Sequence, residues 1–197
     1  MAKKIGEKMK DGLSETKRQI DKRFENLVGH RDDDGNFVID MIVRDDTNFL
    51  SPFSESRVPV VNGDVASFVE NRTKSVGTKE KLKLKIHSTC IDKTEQEIYK
   101  TAIKEYFSES CAEVDAKIKR NNIISIFLLL LGILTLSAMF VLEKYSISGI
   151  WTEVVDIVAW VFLWEATDIF VLQNMELRLK RKKLLSIIAM SVEFVQD

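Results

Sequence analysis

Apolar residues are spread unevenly along this chain, and the unevenness predicts its architecture. From Ile123 to Leu142 the sequence reads IISIFLLLLGILTLSAMFVL, twenty residues without a charge. At a rise of about 1.5 Å per residue, a helix of that length spans the roughly 30 Å hydrocarbon core of a bilayer. A second stretch, Ile150 to Leu172, has similar length and holds Trp151, Trp160 and Trp164, but also Glu153, Asp156, Glu165 and Asp168. Only the seven residues Glu143 to Gly149 separate the two. The pattern predicts a C-terminal two-helix transmembrane hairpin, with an interfacial or re-entrant course of the second stretch as the alternative.

The remaining segments alternate between helix and strand periods. Residues 1–28 carry apolar positions at Ile5, Met9, Leu13, Ile20, Phe24 and Leu27, with eight basic residues against five acidic ones. This is an amphipathic helix that can lie on a membrane or pack against a protein surface. Residues 29–93 read as a small α+β domain. Phe37 to Arg44 is β-branched and strand-like; Asn62 or Asp64 caps a short helix reaching about Arg72; Lys81 to His87 alternates, its lysines on one face, as suits an edge strand. Thr94-Glu-Gln-Glu97 has the form of a capping box. It opens a stalk helix over residues 94–122 that continues into the first span, 123–142. After the loop at 143–149 and the second span at 150–172, residues 173–197 form a basic tail. Its end, Ile188 to Val195, alternates, and either adds a third strand or continues the preceding helix. Two strands and a short helix bury too little to stand alone, so the tail or an oligomer has to complete the sheet.

Charge fixes the expected orientation. Lys117, Lys119 and Arg120 precede the first span, Arg178, Lys180, Arg181, Lys182 and Lys183 follow the second, and the connection holds only Lys144. The positive-inside rule therefore places both termini in the cytoplasm. The Arg178 to Lys183 cluster serves as a topology anchor and also suits anionic lipid head groups. Over the full 197 residues the net charge is −1, which removes the global basic field of a nucleic-acid binder. The stretch MAKKIGEKMKDG is basic without an apolar run behind it and does not read as a secretory signal. Cys90 and Cys111 lie on the side where thiols stay reduced.

Ionisable groups in hydrocarbon are costly, so Glu165 and Asp168 are the candidate functional residues. Neither span contains a Lys, Arg or His to pair with them. Glu165 must stay protonated, meet another subunit or face enclosed water; Asp168 can bond across helices or reach the interface. No catalytic signature accompanies them. His30 to Asn36 fails as a calcium loop, because His30 and Met41 fall where the first and twelfth ligands are needed. His87 and Cys90 lack the second close pair of a zinc site. The expectation is a non-enzyme without cofactor or metal.

Asn48 to Ser54 (NFLSPFS), Leu84 to Asp92 (LKIHSTCID), Glu97 to Tyr106 (EIYKTAIKEY) and Trp160 to Asp168 (WVFLWEATD) resemble a group of uncharacterised small bacterial two-span membrane proteins. The resemblance runs over residues 37–197. It implies a bacterial inner (cytoplasmic) membrane location and no known activity. The expectation is thus an α+β membrane protein: a membrane-anchored cytoplasmic sensor or interaction module that forms homo-oligomers through its hairpin and binds a protein partner or small ligand. The alternative is a small oligomeric channel or permeability-altering effector built on Glu165 and Asp168.

Overall fold

In a computed structural model of the chain, residues 29–54, 58–78, 80–145 and 149–196 are described, together with 12, 14–16 and 19. The amphipathic helix expected over residues 1–28 falls almost wholly outside the described residues. Two compact units emerge, one formed by residues 1–108 with 185–197 and the other by residues 109–184.

The first unit is built on a four-stranded sheet. Its acidic run His30 to Asn36 makes a hairpin between β1 (His30–Arg31) and β2 (Phe37–Ile42), which pair antiparallel. Asp32 organises the turn: its Oδ1 accepts the backbone N–H groups of Asp34 at 3.1 Å and Asn36 at 2.8 Å, and its Oδ2 accepts from Asn36 Nδ2 at 3.0 Å. Gly35, at φ +78°, supplies the left-handed residue the reversal needs.

β2 then pairs in parallel with β3 (Leu82–His87), and β3 in parallel with β4 (Ser191–Val195), giving the order β1-β2-β3-β4. The lysine-bearing strand expected at an edge is therefore internal. Lys83 and Lys85 lie on the face opposite the apolar residues of β3, where Val38 is fully buried and the Lys83 side chain is 17% exposed, while the β3 backbone pairs on both sides. Lys83 Nζ lies 2.8 Å from Glu193 Oε1 and 3.8 Å from Asp32 Oδ2, tying three strand or turn segments together. The tail, for which strand and helix were both open, does each in turn: helix to Ile188, then strand from Ser191.

The inward face holds Phe37, Ile39 and Met41 beside Leu82, Leu84 and Ile86, all buried. Cover comes from α1 (Gly63–Thr73), through Ala66 and Val69, and from the first turns of α2 (Lys93–Lys144), through Tyr99, Ala102, Ile103 and Phe107. Asn62 caps α1, its side chain accepting the Asp64 N–H at 3.0 Å. Tyr99 stacks on Phe49 with ring centroids 4.3 Å apart and donates to Asp46 Oδ2 at 3.0 Å. Burial first, and the Asp46 carboxylate second, push its phenol well above the usual range.

The box that opens α2 lies two residues before the expected Thr94–Glu97. Asp92 Oδ1 accepts the N–H groups of Thr94 at 2.7 Å and Glu95 at 2.8 Å, while Glu95 Oε2 accepts the Asp92 N–H at 2.8 Å. Buried Ile91 fixes the entry of the chain just ahead of the cap, and the Asp92 carboxylate suits the positive end of the helix dipole. Glu97 instead pairs with Lys100 at 2.7 Å. We expect Asp92→Ala to cost about 1 kcal/mol and Thr94→Ala far less, read from thermal melts of the two variants.

The Asp32–Lys83–Glu193 network also sets a pH dependence. The Asn36 side chain, followed by backbone N–H groups and Lys83, holds the Asp32 carboxyl below its ordinary value of 3.8. The Glu193 carboxylate, aided by Asp32, holds Lys83 above its ordinary 10.5. The Asp32 contribution is present above pH 3.8 and lost as pH falls through the lower folded value. That of Lys83 is complete below pH 10.5 and lost as pH rises through the higher folded value. Melting curves of the wild type and Asp32→Asn should differ at neutral pH and converge in acid below the ordinary aspartate range.

The second unit is helical. α2 continues unbroken to Lys144, and α3 (Gly149–Thr167) passes through a π-helical turn, Asp168–Gln173, into α4 (Asn174–Ile188). Among the described residues one helix, α2, is long and apolar enough to cross a membrane, with a mean hydropathy of 2.6 in its most apolar 18 residues and 11% of that window buried. Glu153, Asp156 and Glu165 keep α3 from meeting that description alone. The protein is thus a mixed α+β chain with a small sheet and one long apolar helix.

Candidate functional site

Three contacts place α2 antiparallel to α3 and α4 inside the helical unit. A Cβ added to Gly132 would lie 2.9 Å from Leu163 Cγ and 3.4 Å from its backbone nitrogen, so the helices approach closely there. Asn174 Nδ2 donates to Asn122 Oδ1 at 2.7 Å, and Arg181 Nε to Asp115 Oδ1 at 2.6 Å. Small residues at a crossing and a polar pair at its end are the usual means of joining helices where lipid gives no hydrophobic drive. Asn174 is 1% exposed. It stands just after the π-helical turn, whose extra residue shifts the face that the following helix presents.

That turn also accounts for Asp168. Gln173, five residues on and therefore level with it across a π turn, donates from Nε2 to Asp168 Oδ2 at 3.1 Å. The sequence reading missed Gln173 because an i,i+5 partner lies off the face of a regular helix. Glu165 is treated differently. It is exposed on the outside of the helical unit and has no hydrogen bond or ion pair among the described residues. Its neighbours there, Val161 and Trp164, are exposed as well.

The basic residues also separate. Lys117, Lys119, Arg120, Arg178, Lys180, Arg181 and Lys182 are exposed and Lys183 half-buried. Arg181 is committed to Asp115, whereas Arg178 and Lys182 line one groove with Phe170, Val171, Met175 and Leu179.

The sheet unit holds a second polar constellation, which sequence reasoning passed over. The chain's two histidines flank one carboxylate: His30 Nδ1 is 3.1 Å from Asp40 Oδ2, and His87 Nε2 is 3.2 Å from Asp40 Oδ1. They come from three adjacent strands and share one face of the sheet, since Asp40 faces the same way as Ile42, the register partner of His87. The strand alternation signalled which residues faced outward, but not that residues 30 and 87 would be neighbours. The imidazoles grip opposite oxygens of Asp40 instead of converging on a point. Among the described residues no group of three or more His, Cys, Asp or Glu side chains could hold a metal ion. Such an array presents hydrogen-bonding edges to a charged or polar group.

Comparison with models of known protein families, with curated proteins and with solved structures finds no match.

Proposed function

We propose that this chain is a membrane-anchored cytoplasmic sensor or interaction module, in which a two-helix transmembrane hairpin holds the sheet unit at the inner surface of a cell membrane and assembles it into oligomers. One observation carries the reading: large apolar side chains project outward from residues 123–142 of α2 and from α3, away from the face on which the two helices meet. Phe127 is 64% exposed, Leu134 66%, Ile157 63% and Trp164 74%. Continuous apolar surface on this scale is unfavourable in water and satisfied in hydrocarbon. The basic residues at one end of both helices support cytoplasmic termini. The partly exposed cluster of His30, Asp40 and His87 is the surface available to a partner or ligand.

The protein should resist extraction from membranes at alkaline pH. Cys90, which is exposed, should react with an impermeant maleimide only after cells are opened, whereas Ser146→Cys in the short connection should react in intact cells. Release into the soluble fraction, or labelling of Cys90 from outside, would overturn the topology.

Exposure to the lipid side of Glu165, which has no partner among the described residues, favours assembly. In native detergent the wild type should run as an oligomer and Glu165→Leu at lower mass. A channel reading rests on the same side chain; flux through liposomes that is lost in Glu165→Gln would favour it over the sensor, and absence of flux in the wild type would exclude it.

A further inference from the structure

The groove on the helical unit, lined by Phe170, Val171, Met175, Arg178, Leu179 and Lys182 and about 390 Å³ in volume, has a composition gradient. Phe170, Val171 and Met175 lie toward the apolar stretch, and the two cations lie toward the tail. From residue 170 to residue 182 the helix advances about 18 Å, enough to run from hydrocarbon to head-group level.

Arg178 and Lys182 are one turn apart, and like charges at that spacing repel. Neither has an acidic partner among the described residues, in contrast to Arg181, which Asp115 neutralises. Glu176, the nearest acid in sequence, is rotated about 160° from Arg178 at 100° per residue and cannot serve the pair. An anion with an apolar tail relieves the repulsion and covers the exposed floor in one binding event.

We infer that this groove is a binding site for one anionic phospholipid, its phosphate held between the Arg178 guanidinium and the Lys182 ammonium and an acyl chain laid along Phe170, Val171 and Met175. The planar guanidinium matches two phosphate oxygens, and the lysine adds a point charge. The inference rests on the membrane reading above and makes it specific: the basic cluster is divided into a structural arginine, Arg181, and a lipid-reading pair.

The test uses the full chain in detergent with equal amounts of phosphatidylglycerol and phosphatidylcholine carrying the same acyl chains, and counts retained lipids by native mass spectrometry. The wild type should retain one phosphatidylglycerol at least five-fold over phosphatidylcholine. Arg178→Gln with Lys182→Gln should abolish the preference, and Arg178→Lys with Lys182→Arg, which keeps both charges, should preserve it. Val171→Trp, which fills the groove and leaves the cations, should weaken retention. Lys117→Gln with Lys119→Gln, which removes equal charge outside the groove, should change nothing.

No preference in the wild type, unchanged retention in Arg178→Gln/Lys182→Gln or in Val171→Trp, or equal loss in Lys117→Gln/Lys119→Gln would each overturn the site. The last result would mean diffuse attraction to charge. Alkaline extraction of the same proteins keeps the two readings apart: a wild type that stays in the membrane yet shows no preference sinks the lipid site alone, while one that is extracted sinks the anchor.

Discussion

Leu84→Ala should be the most damaging single substitution in the sheet unit, lowering its stability by about 2–5 kcal/mol. Leu84 is 0% exposed at the centre of β3, opposite Ile39 on one side and Val192 on the other. Truncation there leaves a void bounded by three strands and the helices above them, and paired strands on both sides prevent the backbone from collapsing into it. A unit of this size has a total stability on the order of 5–15 kcal/mol, so the variant would sit near the edge of folding. Hydrogen exchange over residues 82–87 and 191–195 reads the effect, each 1.4 kcal/mol being about tenfold in protection. Ile42→Ala is the control: in the neighbouring strand but 72% exposed, it should change stability by no more than about 0.5 kcal/mol. Equal protection in the Leu84 and Ile42 variants would contradict the assignment of β3 as the central strand.

Gly132→Leu should have the largest effect on the helical unit. Even the Cβ would press to 2.9 Å against Leu163 Cγ, and the nearby Leu163 backbone nitrogen limits how far α3 can yield. A full leucine must force the helices apart there, at a cost of about 1–3 kcal/mol. Trp160 and Trp164 flank Leu163 in sequence, so the fluorescence-detected denaturation midpoint in detergent is the direct measurement. Gly132→Ala should fall between the two, because Leu163 can move by a few tenths of an ångström. An unchanged midpoint for Gly132→Leu would show that the helices do not meet at this residue.

The strands were legible locally, FVIDMI from its β-branched content and LKLKIH from its strict alternation. FVIDMI and LKLKIH announce their inward residues, and the observed boundaries, Phe37–Ile42 and Leu82–His87, fall within two residues of the pattern. For the cap of α1 the sequence left Asn62 and Asp64 open, and the structure takes Asn62, whose side chain accepts the N–H two residues ahead. At α2 the sequence pointed to Thr94–Glu97, whereas the structure closes the box with Asp92 and Glu95, just after buried Ile91. The edge assignment of β3 failed because alternation reports which face is wet and carries no information on how many neighbours the backbone has. The neighbour that makes β3 internal is β4, which pairs with it only after all of residues 88–190 have intervened.

The candidate residues divide along the same line. Glu165 and Asp168 were found because charge in an apolar run is visible in one dimension. Their separate fates, Asp168 bonded to Gln173 and Glu165 left outside, depend on the π-helical turn and on helix rotation. The five tail cations were indistinguishable in sequence; packing against Asp115 and the groove sorted them.

By itself, then, the sequence determined the apolar helix, the strands at Phe37 and Leu82 and the asymmetry of charge, since each depends on residues within a few positions of one another. Tertiary structure alone decided that the tail closes the sheet, that His30 and His87 share Asp40, that Gly132 receives Leu163 and that Arg178 and Lys182 stand together without a counter-ion among the described residues. Those pairings join residues far apart in the chain or choose among equivalent local alternatives, and the free energy that selects them comes from burial and close packing.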